Sequence, residues 1–394
     1  MGEWKECELE KVAEVQTGPF GSQLKNEQYI TGGTPVVTVE HINNFRIVDF
    51  DYPSVTDKDK NRLSKYLLKT GDIIFTRVGS VDLSAYVKPQ HDGWMFSSRM
   101  LRVRPTQEVS SRFLSYFFQQ KRFREYILNI SVGATMPSIN TEILKGIPVS
   151  YPPLPEQRAI ASILSSLDDK IDLLHRQNQT LEAMVEALFR QWFVEEADEG
   201  GEEDSLLELI QLVGGGTPKT TINEYWDGDI PWLVGGDIAT NHKSFVNYAE
   251  KRITEVGLNN SSAKLLPKYA TVISARGTVG KYCLLAEPMA FSQSNYGILP
   301  NIKNCFFFTY LLINHVVEEL QSSAYGSVFD TITTTTFKEN EVPMPTETEI
   351  MQFEKSISSY FQKMFINKYQ IRTLEKLRDM LLPKLMSGEV RLKI

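Results

Sequence analysis

The chain contains one segment twice, and each copy closes one half of the protein. Residues 152–193 align with residues 345–386 without a gap, at a constant offset of 193 positions. Matched positions keep their chemical character, as three pairs show: Glu156 with Glu349, Ile160 with Phe353, and Leu188 with Leu381. An internal repeat constrains the fold more than any single motif, because both copies must form the same structure. The chain is therefore expected to present two similar surfaces.

The remainder of each half is also duplicated. Three blocks correspond in the same order, with offsets between 193 and 198 positions: 9–18 with 206–215, 35–42 with 231–238, and 67–81 with 265–279. Short β-rich runs punctuated by Gly, Pro and Asn predict strands within these blocks. Helical stretches follow near 113–127 and 307–320, and a Pro-rich joint at 148–155 ends the first domain. The pattern predicts two mixed domains of one fold with different surfaces.

After Pro155 the hydrophobic period changes to alternating steps of four and three residues, as in a heptad seam. The seam consists of Ile160, Leu164, Leu167, Ile171, Leu174, Asn178, Leu181, Val185, Leu188 and Trp192. A second, less regular seam consists of Phe353, Ile357, Tyr360, Met364, Asn367, Ile371, Leu374, Arg378, Leu381 and Leu385. At about 1.5 Å per residue, a helix from Glu156 to Phe193 is roughly 55 Å long. Its single apolar stripe needs a partner.

Pairing of the two helices inside one chain is favoured over a leucine-zipper homodimer. The domain between the helices must return the chain to the first helix, and an antiparallel pairing about a pseudo-twofold axis satisfies this requirement. Asn178 and Asn367 then meet near the centre of the pair. Because a buried Asn pair fixes the register of a coiled coil at some cost in stability, we predict that these two residues set the register.

Composition and charge place the chain among globular proteins of two or three domains. The chain has 394 residues, of which 42% are hydrophobic and 23% charged, so it can form sizeable cores without metals or disulfides. The net charge is −7, and residues 195–204 hold seven acids and no base, so the rest of the chain is neutral. This acidic tract is interpreted as a solvated linker. Any contact with nucleic acid must then come from local clusters of Lys and Arg.

The cysteines and the apolar runs indicate a cytoplasmic protein. Cys7, Cys283 and Cys305 are far apart and form no CxxC pair, which favours reduced thiols. The charged N-terminus lacks an apolar run, and the chain has no apolar stretch of about 18 residues or more. We therefore predict neither a signal peptide nor a membrane span.

The sequence shows no catalytic or metal-binding constellation. Its five histidines are scattered, without the HxH or HExxH spacing of a metal site. Residues 277–281 weakly resemble a phosphate loop, but they lack the four-residue spacer and the Ser or Thr after Lys281. The chain is therefore predicted to bind a partner without transforming it, with no metal and no cofactor of its own.

Three segments resemble the specificity subunit of type I restriction-modification systems. Residues 152–172, which begin PPLPEQRAI, resemble the start of that family's central helical region. Residues 381–390, LLPKLMSGEV, resemble its C-terminal signature. Residues 71–77, GDIIFTR, and 273–278, ISARGT, resemble a recurrent element of its target recognition domains. The resemblance covers essentially the whole chain, although the joint at 345–349 departs from the family pattern.

The residues and the resemblance together predict the fold class and the domain order. The class is α+β, with two similar mixed α/β target recognition domains separated by two long helices. These helices form an antiparallel intramolecular coiled coil with pseudo-twofold symmetry. The predicted bounds are 1–151 and 205–344 for the recognition domains, 152–194 and 345–394 for the helical regions, and 195–204 for the acidic linker.

The resemblance further implies a non-catalytic DNA-binding subunit. Each recognition domain would read one half of a bipartite double-stranded DNA site, asymmetric because the domains differ, and the coiled coil would set the half-site spacing. Two methyltransferase subunits would dock on the chain and hold the S-adenosylmethionine, and motor-nuclease restriction subunits would complete the assembly. The alternative is a bi-lobed coiled-coil scaffold that joins proteins and does not bind DNA.

Base reading requires polar side chains on exposed loops, while Lys and Arg follow the phosphates. The candidates in the first domain are Thr17, Phe20, Ser22, Gln23, Lys25, Thr76, Arg77, Ser80, Ser98 and Arg99. Those in the second are Thr217, Lys219, Thr220, Ser274, Arg276, Thr278, Gln293, Ser294 and Asn295. The alternative is that these glycine-rich segments are plain turns and that their arginines pair with local carboxylates. The basic cluster at 121–124 could equally bind phosphates or form a solvated helix face.

Apolar residues on the two helices are the candidates for partner docking. We expect the methyltransferase subunits to cover exposed positions there, namely Phe189, Phe193, Phe361 and Phe365.

Overall fold

The structure is a computed structural model that describes residues 3–48, 50–133, 135–195, 203–325 and 331–392. Most of the predicted acidic linker, 196–202, lies outside the described residues. The chain divides into two compact units, one formed by Met1–Ile171 with Thr373–Ile394 and the other by Asp172–Arg372. Each unit therefore contains one of the two predicted mixed domains and a part of each long helix.

The first unit is built from short strands and helices before the first long helix begins. Its strands are β1 Lys5–Glu8, β2 Ala13–Thr17, β3 Thr34–Val37, β4 Ile42–Asn43, β5 Arg46–Ile47, β6 Ser54–Val55, β7 Ile73–Thr76, β8 Ser84–Tyr86, β9 Met95–Phe96, β10 Met100–Pro105 and β11 Pro148–Tyr151. Its helices are α1 Asp57–Arg62, α2 Ser111–Gln119, α3 Lys121–Ile130, α4 Thr141–Lys145 and the start of α5 Leu154–Arg190.

The second unit repeats this order. Its strands are β12 Glu203–Ser205, β13 Ile210–Gly214, β14 Trp226–Leu233, β15 Phe245–Val246, β16 Lys251–Ile253, β17 Leu265–Leu266, β18 Thr271–Ser274, β19 Tyr282–Leu285, β20 Met289–Phe291, β21 Asn295–Pro300 and β22 Glu341–Pro343. Its helices are α6 Gly235–Thr240, α7 Glu255–Asn259, α8 Phe306–Tyr325, α9 Thr334–Glu339 and most of α10 Glu347–Met386.

The sheets of the two units share one topology. The order β2-β10-β7-β8 in the first unit corresponds to β13-β21-β18-β19-β15 in the second, and β6-β3-β9 corresponds to β16-β14-β20-β17. In both units one pair in the second of these sheets is parallel, β3 with β9 and β14 with β20. The two-stranded pairs β1-β11 and β12-β22 also correspond. The predicted duplication of a mixed domain is confirmed.

The central strands read as continuous apolar runs because both of their faces are covered. In β7, Ile73 and Phe75 belong to the core that includes α2, whereas Ile74 belongs to the core on the other face. In β18, Ile273 and Val272 divide in the same way. A strand buried on both faces has no need of polar alternation. Next to this sheet, α2 begins where the Ser110 side chain accepts a hydrogen bond from the amide of Phe113.

The long helices bury the predicted seams. No member of either seam is exposed. In the first unit, Ile160 and Leu164 of α5 share a core with Leu382 and Leu385 of α10. In the second unit, Phe193 lies in a short π-helical turn at 191–195 that follows α5. Its ring lies 4.9 Å from the ring of Phe353 in α10. The residue numbers of contacting positions rise along α5 as they fall along α10. The pairing within each unit is therefore antiparallel, as predicted.

The irregular seam member Arg378 has a specific partner in the first unit. Arg378 donates from Nη1 to Oδ1 of Asp168 at 3.1 Å, and the hydroxyl of Tyr116 donates to Oδ2 at 2.6 Å. Burial, and secondly the Asp168 charge, raise the pKa of the Tyr116 hydroxyl, so it stays a donor. The ion pair thereby links α2, α5 and α10 of this unit.

Asn178 and Asn367 meet within the second unit. Asn367 is fully buried and donates from Nδ2 to Oδ1 of Asn178 at 2.7 Å and to Oε1 of Gln177 at 3.0 Å. Asn178 is half-buried. This contact is the one that a register-setting pair requires; its effect on the register stays a prediction.

Candidate nucleic-acid interface

In the first unit, three loops meet at one end of the main sheet. Strand β2 ends at Thr17, β7 ends at Thr76, and β10, which lies between them, begins at Met100. Antiparallel pairing sets Leu101 opposite Thr17 and Met100 opposite Thr76. The chain segments that leave and enter these strands therefore lie side by side. We call them the first loop cluster, comprising residues 17–25, 76–80 and 97–99.

Arg77 lies where these loops join. Its Nη1 donates to the hydroxyl of Thr17 at 3.3 Å and to the carbonyl of Ser98 at 3.4 Å, and its amide donates to the carbonyl of Arg99 at 2.8 Å. These side-chain partners are neutral, so they leave the positive charge of the guanidinium uncompensated at this point. A half-buried cation with long hydrogen bonds can still turn towards an anionic ligand.

The exposed members of the first loop cluster are Phe20, Ser22, Lys25, Ser80 and Arg99. Ser98 is half-buried, and half-buried Gln23 accepts a hydrogen bond from the Tyr66 hydroxyl at 2.7 Å. Phe20 is 52% exposed, which is unusual for an aromatic ring outside a binding surface. Cations, hydroxyls and an aromatic ring are thus grouped on one surface.

The second unit forms the same arrangement, which we call the second loop cluster, comprising residues 214–220, 274–278 and 292–295. Ser274 at the end of β18 faces Asn295 at the start of β21. The amide of Ala275 donates to the carbonyl of Ser294 at 2.9 Å, which repeats the bond from Arg77 to Arg99. Its exposed members are Lys219, Thr220, Arg276, Thr278 and Gln293, while Thr217 and Ser294 are half-buried.

A glycine at the same place in both clusters allows the loops to touch backbone to backbone. A Cβ on Gly18 would lie 2.0 Å from the carbonyl oxygen of Ser97, and one on Gly215 would lie 2.1 Å from that of Ser292. Neither position can hold any larger residue without moving the loop beside it. The two clusters therefore share their backbone construction and differ in their side chains.

Three predicted contact residues are buried, which corrects their assignment as surface contacts. Thr76 and Ser274 have no exposed surface, and Asn295 is 1% exposed. The Thr76 and Ser274 hydroxyls donate to backbone carbonyls within their own loops, and Asn295 Nδ2 donates to the Ser292 hydroxyl at 2.8 Å. A side chain that ends a central strand points into the core, where a ligand cannot reach it.

The predicted docking residues are also corrected, because the second unit buries them in its own core. Phe189, Phe193 and Phe361 are at most 8% exposed, and the Phe361 ring stacks on Phe307 of α8 at 4.4 Å. Phe365 is half-buried against Phe245, with ring centroids 5.4 Å apart. The body of the recognition domain covers this side of the helices, so it is not open to another subunit.

The basic cluster at 121–124 is only partly available. Arg124 donates from Nε at 2.9 Å and from Nη2 at 2.5 Å to the Asp82 carboxylate, and Arg122 donates to the Met386 carbonyl at 3.4 Å. Lys121 pairs with Glu125 at 3.7 Å on the surface. The helix-face interpretation is therefore favoured for this segment.

One segment beside the first loop cluster was missed by the sequence analysis. The amide of Gly79 donates to the carbonyl of Pro137 at 2.8 Å, and the amide of Ile139 donates to the carbonyl of Arg77 at 2.9 Å. Val132 and Met136 are more than 60% exposed there. The closely spaced Gly133, Pro137 and Ser138 are turn formers, but turn formers alone do not tell which loop a turn will contact.

Among the described residues, no group of three or more His, Cys, Asp or Glu could hold a metal ion. No helix in the described part of the chain is long and apolar enough to cross a bilayer.

Two like domains with two differing loop clusters define a class of protein that has two recognition surfaces on one chain. A family model for the type I restriction modification DNA specificity domain matches the chain twice, at residues 1–183 and 199–377. The chain belongs to this family, which confirms the resemblance seen in the sequence.

Relatives match over nearly the full chain. The type I restriction enzyme MjaIX specificity subunit of Methanocaldococcus jannaschii is 24% identical over 99% of this chain and 94% of its own length. The HindI specificity subunit of Haemophilus influenzae is 23% identical over 99% of this chain and 100% of its own. The S subunit of a type I restriction-modification system from M. genitalium has the same fold, with a TM-score of 0.65 at 16% identity over 100% of this chain and 97% of that one.

Proposed function

We propose that this chain is the non-catalytic DNA-specificity subunit of a type I restriction-modification complex. Each unit reads one half of a bipartite site in double-stranded DNA, and partner subunits carry out the chemistry. Family membership favours this function over the scaffold alternative.

The observation that carries the proposal is the loop cluster that occurs twice. The backbone bonds from Arg77 to Arg99 and from Ala275 to Ser294 are equivalent, whereas the exposed side chains around them differ. Two readers of one construction with different side chains would recognise different half-sites. The complete site is therefore asymmetric.

The exposed side chains are suited to this chemistry. Arg99 and Arg276 can form paired hydrogen bonds with guanine, and Gln293 can do so with adenine. Lys25 and Lys219 are suited to the phosphates, where a compact charge is enough. Because the chain as a whole is acidic, with a net charge of −7, these local cations must supply the attraction for DNA.

In this proposal the long helices bind the partner subunits and set the spacing between the half-sites. Helix α10 exposes apolar side chains in each unit that a methyltransferase subunit could cover: Ile366 and Tyr369 in the second unit, and Leu377 and Met380 in the first, all between 37% and 54% exposed. Two such subunits would hold the S-adenosylmethionine, and motor-nuclease subunits would add restriction. The helix pair would set the distance between half-sites, and a complex that works on chromosomal DNA would act in the cytoplasm.

The test is to purify the chain with its methyltransferase subunits and to methylate a randomised duplex library with S-adenosylmethionine. Modified-base sequencing should find one split motif with two unlike halves and a fixed gap. The R99A variant should lose selectivity at one base of one half. The matched control is R62A, which removes another exposed arginine of the same unit, one that pairs with Asp59 outside the loop cluster.

A continuous or palindromic motif would contradict the two-reader proposal. Methylation without any sequence preference would contradict the function itself. An R62A variant that loses the same base selectivity as R99A would refute the assignment of the loop cluster.

A further inference from the structure

In both units a buried hydroxyl at the end of a strand donates a hydrogen bond to a backbone carbonyl of the loop that follows. Thr76 and Ser274 occupy equivalent positions at the ends of β7 and β18, and neither is exposed. The Thr76 hydroxyl donates a hydrogen bond to the carbonyl of Ser80 and lies 3.2 Å from the carbonyl oxygen of Leu83. The Ser274 hydroxyl donates a hydrogen bond to the carbonyl of Thr278 and lies 3.2 Å from the carbonyl oxygen of Lys281. In both units the acceptors are four and seven residues further along the chain.

The backbone around these hydroxyls repeats as well. The amide of Leu83 donates to the carbonyl of Ser80, and that of Lys281 donates to the carbonyl of Thr278, both at 3.2 Å. The third residue after each hydroxyl is a glycine in the left-handed region, with φ of 84° at Gly79 and 77° at Gly277. A larger residue adopts that conformation only with strain.

The hydroxyl is chemically specific at this place. Serine and threonine can both donate a proton to an inward-turned carbonyl, but valine and alanine cannot. The two units keep this donor and the left-handed glycine while the residue directly after the hydroxyl changes from Arg77 to Ala275. Both loops share the hydroxyl and the left-handed glycine, whereas their exposed residues differ. The shared features therefore determine the shape of the loop and do not select the base that is read.

We propose that Thr76 and Ser274 are positioning residues, whose hydroxyls hold the loops at 77–80 and 275–278 in the shape that presents their side chains to DNA. This inference rests on the proposed function. Each hydroxyl acts only on the half-site that its own unit reads. Neither touches DNA.

The test uses the complete complex of the chain with its methyltransferase subunits. Its affinity is measured by fluorescence anisotropy on three duplexes: the methylated motif found by sequencing, that motif with the first half scrambled, and that motif with the second half scrambled. T76V should reduce discrimination at one half by about fivefold, the effect of losing one hydrogen bond of average strength. S274A should do the same at the other half only, and the conservative variants T76S and S274T should behave like the unchanged chain.

Two variants control for loss of a buried hydroxyl as such. T271V removes from the same strand as Ser274 a buried hydroxyl that has no hydrogen-bond partner among the described residues, and S84A removes a buried hydroxyl from the strand next to Thr76. Both should leave discrimination unchanged at both halves.

Three results would overturn the inference: equal loss at both halves, the same loss in T76S as in T76V, or no loss in T76V and S274A. If the unchanged complex showed no discrimination at either half, the proposed function itself would fail, and this inference with it. A discriminating complex that tolerates both valine and alanine would refute the positioning role alone.

Discussion

Replacing Glu182 by Gln should stabilise the second unit above pH 7 and leave its stability nearly unchanged at pH 4. Oε1 of Glu182 is buried and has no hydrogen-bond partner among the described residues. Burial, and secondly the charge of Glu186, raise the pKa of Glu182 to about 7, against the smaller opposing effect of Lys243. The carboxyl borders an open cavity of about 420 Å³, whose other charged or titratable groups are His175, Glu186, His242, Lys243 and Lys368.

The size and sign follow from linkage. Between the ordinary pKa of 4.5 and the folded pKa of about 7, the folded state keeps a proton that the unfolded state has lost, so the free energy of unfolding falls as pH rises. The full shift is worth at most about 3.4 kcal/mol at 1.36 kcal/mol per unit. Because Glu182 is only half-buried, solvent screens part of this penalty, which above pH 7 is on the order of 2 kcal/mol.

Urea unfolding of the unchanged chain and of E182Q at pH 4, 5, 6, 7 and 8 measures this difference. The two free energies of unfolding should agree near pH 4 and diverge by about 2 kcal/mol, in favour of E182Q, at pH 8. Groups remote from Glu182 titrate equally in both proteins and cancel. D169N removes an exposed carboxylate of the same helix and should run parallel to the unchanged chain. If E182Q also ran parallel, the raised pKa would be refuted.

Three further outcomes follow from the interface and the helix pair. R99A and Q293A should each relax one base position, at a cost of about 1–3 kcal/mol against the correct base, measured by competition with single-base variants of the site. K219A should weaken all sequences alike and lower the slope of log affinity against log salt by about one, measured by anisotropy in a salt series. N367L should destabilise the second unit by about 1–3 kcal/mol, because it leaves the side-chain oxygen of Asn178 without its donor. The double variant with Leu at both positions should restore stability, as measured by thermal unfolding.

The long-range organisation was accessible from the sequence because it depends on period and repetition. The step of four and three residues predicts which side of each helix is buried, and all twenty seam positions are buried or half-buried. Even Arg378, which breaks the apolar pattern, fits the seam because Asp168 compensates its charge. The strand positions in β7 and β18 were found because a strand covered on both faces is apolar throughout.

The individual side-chain roles were less accessible, because they depend on which way a chain end turns. Thr76 and Arg77 are neighbours with similar polarity, but the first points into the core and the second towards the loop surface. The phenylalanines of the helices were misjudged for a related reason. A helix with aromatic residues beyond its seam requires a cover, but the sequence does not tell whether another subunit or its own domain supplies it. Here α8 does, through Phe307 on Phe361.

The two units solve the attachment of the recognition domain to the helices differently, and this difference bears on how they evolve. In the first unit Tyr116 and Arg378 both donate to the half-buried Asp168, and a guanidinium nitrogen of Arg46 lies 3.7 Å from the same carboxylate. In the second unit Tyr310 and Phe307 pack on Phe361, and the amides of Phe307 and Phe308 donate to the carboxylate of Glu354. Arg99 and Gln293 are exposed loop residues and take part in neither attachment. Side chains such as Arg99 and Gln293 can therefore change, and with them the bases that are read, without disturbing the packing that holds each domain in place.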